Sequence, residues 1–190
     1  MPVRVLHRHW GVRTEDHGTE RTRVMMMGVR IWMLVDLEPG YERLHVGDRI
    51  EATTAWCRPE MLPAELVSWD VPVQVERVAA NLPGEYDWVA HGNGHVSALL
   101  SDWKESEGPT AISGCLMYDR YLHLFHHVVP TTRGRILHRA CITRDAHRIP
   151  TSHGGYSVNP LGPPTFTEHG DVESDRTVTW DCVELDTDAE

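Results

Sequence analysis

Val24-Met25-Met26-Met27-Gly28-Val29-Arg30-Ile31-Trp32-Met33-Leu34-Val35-Asp36-Leu37 is the most apolar stretch of the chain. In an extended backbone Met25, Met27, Val29, Ile31, Met33, Val35 and Leu37 share one face. Val24, Met26, Trp32 and Leu34 put further apolar groups on the other. A segment apolar on both faces predicts a central strand covered from both sides. Gly28 is its natural place to bend or bulge. Gly28, Arg30 and Asp36 break the run before it reaches the length of a bilayer span.

Other stretches alternate with the period of a half-buried strand. Ile50, Ala52, Thr54 and Trp56 alternate with Arg49, Glu51, Thr53 and Ala55. Val71, Val73 and Val75 alternate with Pro72, Gln74 and Glu76. Ile136, His138, Ala140 and Ile142 alternate with more polar neighbours, and so do Val178, Trp180 and Cys182 near the end, which predicts a strand over 177–185. Helical periodicity is scarce. Pro63 limits Pro59-Glu60-Met61-Leu62-Pro63-Ala64-Glu65-Leu66-Val67 to a turn or two. Residues 119–127 fit a short helix or a strand.

The reading is therefore an all-β chain. A long bent strand, a strand opened by Gly47 and a third strand follow one another, and 96–102, 110–118 and 135–143 repeat that order faintly. The order resembles half of a small Greek-key barrel, of which the OB-fold is one kind. One or two such barrels fit the length, with units at 1–82 and 94–190, as separate domains or one continuous domain. Residues 82–93, with Pro83-Gly84 and Gly92-Asn93-Gly94, would be the hinge. Residues 150–175, crowded with proline and glycine, predict a long loop or arm.

At 190 residues, 41% hydrophobic and 24% charged, the chain has enough apolar material for a proper core. The start of the chain is basic and carries no apolar secretory core, so a cytosolic location is expected by elimination. Cys57, Cys115, Cys141 and Cys182 include no Cys-x-x-Cys pair and each falls in a strand pattern, which predicts reduced thiols. The net charge of −10 is uneven: 168–190 holds nine acids against Arg176 alone. The acidic total argues against general nucleic-acid binding, but leaves room for a local basic face.

Histidine is conspicuous, with 13 copies. His7 and His9 share a face, and His91 and His95 flank a tight turn. His123, His126 and His127 cluster beside Asp119, a donor set suited to zinc or another transition metal. No established metal-binding spacing accompanies them. There is no Gly-x-Ser-x-Gly elbow around Ser97, Ser101 or Ser113, and no phosphate-binding glycine loop. Lys104 is the one lysine, in a polar stretch. Cys141 and His138 point to opposite faces of a strand, which disfavours a thiolate–imidazolium pair.

The basic stretch 133–148 is the better lead. Arg133, Arg135 and Arg139 would share one strand face, suited to phosphate or carboxylate recognition. Tyr118 and Tyr121 could stack bases beside them. Seven tryptophans against two phenylalanines suggest that Trp69, Trp88 and Trp103, near turns, serve a partner surface or ligand pocket.

Three functions follow, in this order. The first is a non-enzymatic intracellular binding or accessory protein, with a protein partner or a small ligand and no cofactor. The second is a single-strand nucleic-acid binder using the arginine face, and the third a metal-dependent enzyme using the histidine cluster. No membrane partner is expected.

Overall fold

The computed structural model describes residues 29–36, 44–101 and 107–188. His7, His9, Met25, Met27, Leu37, Trp103 and Lys104 lie outside these ranges, as does the expected bend at Gly28. Among the described residues nine strands carry the fold: β1 Arg30–Val35, β2 Arg49–Cys57, β3 Ser68–Ala79, β4 Tyr86–Gly92, β5 Ser97–Leu99, β6 Gly108–Tyr118, β7 Thr131–Pro150, β8 Tyr156–Glu168 and β9 Arg176–Asp186. Among the described residues the only α-helix is the single turn α1, Leu122–Phe125. The 59–67 segment makes two 3-10 turns, Pro59–Met61 and Ala64–Leu66, parted by Pro63. No helix among the described residues is long and apolar enough to cross a membrane.

β1 is central, as its two apolar faces require. It runs parallel to β6 on one side and antiparallel to β9 on the other. Ile31, Met33 and Val35 enter the main core, while Trp32 and Leu34 join a second cluster on the opposite face. In β3, Val71, Val73 and Val75 point inward and Pro72, Gln74 and Glu76 outward.

The strands form one hydrogen-bonded sheet in the order β2-β5-β4-β3-β6-β1-β9-β7-β8, with β2 also pairing to β6 and β7. Those extra pairings close two circuits. One runs β2–β5–β4–β3–β6 and back to β2; the other runs β2–β6–β1–β9–β7 and back to β2. Strands from both halves of the chain are thus interleaved. The main core lines both circuits, with Val73, Ala90 and Ile112 from the first and Met33, Ile136 and Val183 from the second. Within 82–93, the stretch expected as a hinge, 86–92 are β4, paired to β3 and β5.

The Pro/Gly-rich segment also departs from the loop expected of it. Most of it is β8, paired along β7 from Ala140↔Glu168 to Pro150↔Tyr156. Its composition fits because β8 is the last strand of the order, with no partner on its outer side among the described residues, where a missing proline N–H costs no ladder bond. The pairing slips between Thr143 and Asp145, where Gly162-Pro163-Pro164 faces Arg144 alone.

β7 carries a second irregularity. Ile136 pairs with Leu185 but His138 with Glu184, so Leu137 is an extra residue. One extra residue exchanges the two faces of everything beyond it. Ile136 consequently packs in the main core, whereas Ala140 and Ile142 pack in the second cluster with Leu34, Cys115 and Cys182. The four-residue face expected from sequence is broken at that point.

Gly114 sits where β6 turns from β3 toward β2, with φ +144. A Cβ there would run into the Cys57 carbonyl oxygen and lie 2.7 Å from Trp56 Nε1. At Gly47, φ is +96 but nothing lies within 4 Å of a built Cβ. Gly47→Ala should therefore cost only the backbone strain, about 1–3 kcal/mol. Gly114→Ala should add an overpacking cost of roughly 1–3 kcal/mol. Urea denaturation of the two variants checks the difference.

Candidate ligand cleft

β4 begins and β5 ends beside the 119–130 segment. The ladder Val89↔Leu99 continues as the Leu100 N–H donating to the Trp88 carbonyl at 2.8 Å. The same register carried one step on sets Ser101 opposite Asp87. Over that end lies α1, started by the Tyr121 N–H donating to Asp119 Oδ1 at 2.8 Å and closed by the His126 N–H donating to the Leu122 carbonyl at 2.8 Å. Leu122 anchors the turn in a third apolar cluster with Ala55, Val89 and Leu99. Burial of that one leucine swings His126 back over β4.

The result is an imidazole–carboxylate pair across 39 residues of sequence: His126 Nδ1 lies 2.9 Å from Asp87 Oδ2. Their side chains are 25% and 16% exposed, the more buried of the histidine pairs in the described residues. The carboxylate accepts, so Nδ1 carries the proton and Nε2 is turned to other business. Beside the pair lies a cleft of about 350 Å³ lined by Tyr86, Asp87, Trp88, Leu99, Leu100, Ser101 and His126. Arg77 stacks its guanidinium 4.3 Å above the Tyr86 ring and stiffens that wall.

The expected metal set is dispersed. Asp119 is occupied in starting α1, His126 is held by Asp87, and His123 and His127 point outward. Among the described residues no three His, Cys, Asp or Glu side chains converge on a metal position. Sequence spacing brought the histidines together along the chain, but the helical turn fans them apart.

The arginine face is divided in the same way. Arg133 and Arg135 are exposed on the outward side of β7. Arg133 grips Glu51 across the β2–β7 ladder with two contacts, Nε to Oε2 at 2.9 Å and an Nη2 bond to Oε1 at 3.1 Å. Arg139 lies past the extra residue Leu137 and does not join them. It pairs with Val183 of the core face and approaches Asp181 at 3.8 Å, largely buried. Tyr118 pairs with Thr54, an odd number of residues from Glu51, so it faces the core side and packs there. Tyr121 is exposed and stacks against Arg120, lining a shallow hollow with Asp36, Tyr118 and Asp119. The two tyrosines therefore form no platform beside Arg133 and Arg135.

In place of a line along β7, the cations form a row across strands. Arg30 pairs with Asp186, Asp186 with Arg135, and Arg135 with Arg49. Of the exposed tryptophans expected from sequence, Trp69 is 66% exposed and Trp88 walls the cleft. Asp87 carried no sequence signal: a lone aspartate at a strand start, it gains meaning only from His126.

No protein-family model matches the chain, and no curated protein or solved structure matches it.

Proposed function

We propose that this chain is a non-enzymatic intracellular binding or accessory protein that takes a small planar ligand in the cleft where β4 begins and β5 ends. The observation that carries the proposal is the Asp87–His126 pair opening on that cleft. Its volume falls in the range of small-molecule sites, with a lining of mixed apolar and polar groups. Tyr86, Trp88, Leu99 and Leu100 supply the apolar part of the lining. With Nδ1–H committed to Asp87, an imidazole in its neutral form would leave Nε2 as an acceptor, and the Ser101 hydroxyl serves as donor or acceptor. A planar ring bearing an N–H satisfies this set. Four free thiols are in keeping with a reducing compartment. We further read the two closed strand circuits as small barrels of the Greek-key, OB-like kind, with the cleft at the rim of the first.

The test is ligand-observed magnetic resonance with a panel of planar heteroaromatic N–H compounds, followed by amide shift mapping. Binders should shift Trp88 and 99–101, and His126→Ala should weaken them about tenfold, near the 1.4 kcal/mol of one hydrogen bond. A panel without binders, or binders indifferent to His126→Ala, would reject the proposal.

A second reading, binding of a nucleic-acid single strand, is favoured by one contact: Arg49 and Arg135 face each other directly, both exposed. Like charges opposed across a ladder repel, and a phosphate between them would relieve the repulsion. Asp186 beside Arg135 competes for the same charge. With a labelled short single strand at low salt, Asp186→Asn should tighten binding and Arg135→Ser should weaken it, with a steep loss as salt rises. Absence of binding by both the native chain and Asp186→Asn would dismiss this reading.

A further inference from the structure

Cys57 ends β2, and its direct partner in the antiparallel ladder is Cys115 of β6. The Asp119 N–H donates to the Thr53 carbonyl at 3.0 Å. Alternation from there along the ladder makes Cys57 and Cys115 a hydrogen-bonded pair. The Cα atoms of such a pair are about 5.5 Å apart, inside the span of roughly 4.4–6.8 Å that a disulfide bridges. Gly114, next to Cys115, lets the strands come this close, because a Cβ there would strike the Cys57 carbonyl oxygen.

The two thiols differ in setting. Cys57 is half-buried and open to solvent, whereas Cys115 is fully buried. Leu34, Leu62, Leu66 and Met117 pack around them and keep large molecules away from Cys115. A small oxidant reaches Cys57 first.

We propose that Cys57 and Cys115 are a reversible dithiol–disulfide pair oxidised by small hydroperoxides. The Cys57 thiolate attacks one peroxide oxygen, the S–O bond forms and the O–O bond breaks, and the departing hydroxide takes a proton and leaves as water. Cys57 is then a sulfenic acid. The Cys115 thiol loses its proton and attacks the Cys57 sulfur. The S–S bond forms and hydroxide, reprotonated, leaves as the second water. Each turnover oxidises two thiols by two electrons and reduces one hydrogen peroxide to two waters. The hydrogen bond from Cys115 holds the Cys57 thiol below its usual value, against the opposing effects of burial and Glu60. Cys115 is held up by that same bond and by burial, which makes Cys57 the attacking and Cys115 the resolving thiol. Burial raises Cys182, and burial with Asp181 and Glu168 raises Cys141, so both stay out of the reaction. The Cβ atoms of a ladder pair stand about 4.5–5.5 Å apart against about 3.8 Å in a relaxed disulfide. The bridge must draw β2 and β6 together and is readily reduced again.

The experiment treats the folded chain with hydrogen peroxide, then counts thiols after denaturation and maps peptides without reductant. The four thiols of the chain should fall to two, with one linked peptide joining Cys57 to Cys115, and return to four with a small thiol reductant. In Cys115→Ala, chosen to preserve the apolar packing, Cys57 should be trapped as a sulfenic acid by dimedone. In Cys57→Ser all three remaining thiols should survive. Four surviving thiols in the native chain would overturn the proposal. So would a Cys57 sulfinic acid beside a free Cys115, or a bridge between two chains.

Discussion

Thr54, Thr132 and Ser97 meet in the interior where three strands come together, and the closure of the sheet depends on that meeting. Thr54 of β2 and Thr132 of β7 are both fully buried. Their hydroxyl oxygens lie 2.9 Å apart, and both contact the Ser97 carbonyl of β5. The Thr132 oxygen also accepts the Ser97 N–H at 3.1 Å. At this point one edge of β2 passes from β7, paired along Arg49–Thr53, to β5, paired at Ala55. Such a hand-over leaves backbone groups with no ladder partner, and buried groups of that kind are costly. The two hydroxyls supply the missing bonds. Both circuits pass through β2, so a small polar knot in an apolar interior holds each of them shut.

The extra residue Leu137 shapes the surface as the threonines shape the interior. It reverses the facing of β7 about a third of the way along, so one strand serves the main core with Ile136 and the second cluster with Ala140 and Ile142. The same reversal takes Arg139 off the outer face and buries it against Asp181. Basic residues that look like a stripe in sequence become a solvent-facing pair and an internal ion pair. The cleft owes its form to packing of another sort. Leu122 buries itself in the third cluster, and the turn it anchors delivers His126 to Asp87.

Wherever one strand face answers to one core, the residues were legible. Residues 30–35 show two apolar faces and lie between two strands, and 71–76 alternates and is paired as its alternation implies; 177–185 is a strand as expected, but Thr179 is an extra residue between the Ile142–Trp180 and Thr143–Val178 pairs and breaks its alternation. The period of two carries no information about inserted residues, so the bulge at Leu137 and its effect on Arg139 could not be read. Proline and glycine signal turns strongly, and in 82–93 and 150–175 that signal outweighed the weaker evidence for strands; at a sheet edge the same residues are tolerated in a strand. The candidate site was half visible. His126 is conspicuous in the sequence only together with His123 and His127, as a metal ligand beside Asp119; its partner comes from β4, and neither the pair nor the Cys57–Cys115 register has any counterpart in local spacing. Long-range pairing decides both.

The threonine knot is tested most directly by Thr132→Val, which keeps the shape and removes the hydroxyl. If closure depends on it, urea denaturation should show a loss of about 1–3 kcal/mol, the cost of leaving buried partners unsatisfied. Hydrogen exchange at the Ser97 amide should quicken at the same time, ahead of the amides of β1 and β9. Unchanged stability together with an unchanged Ser97 exchange rate would contradict the account.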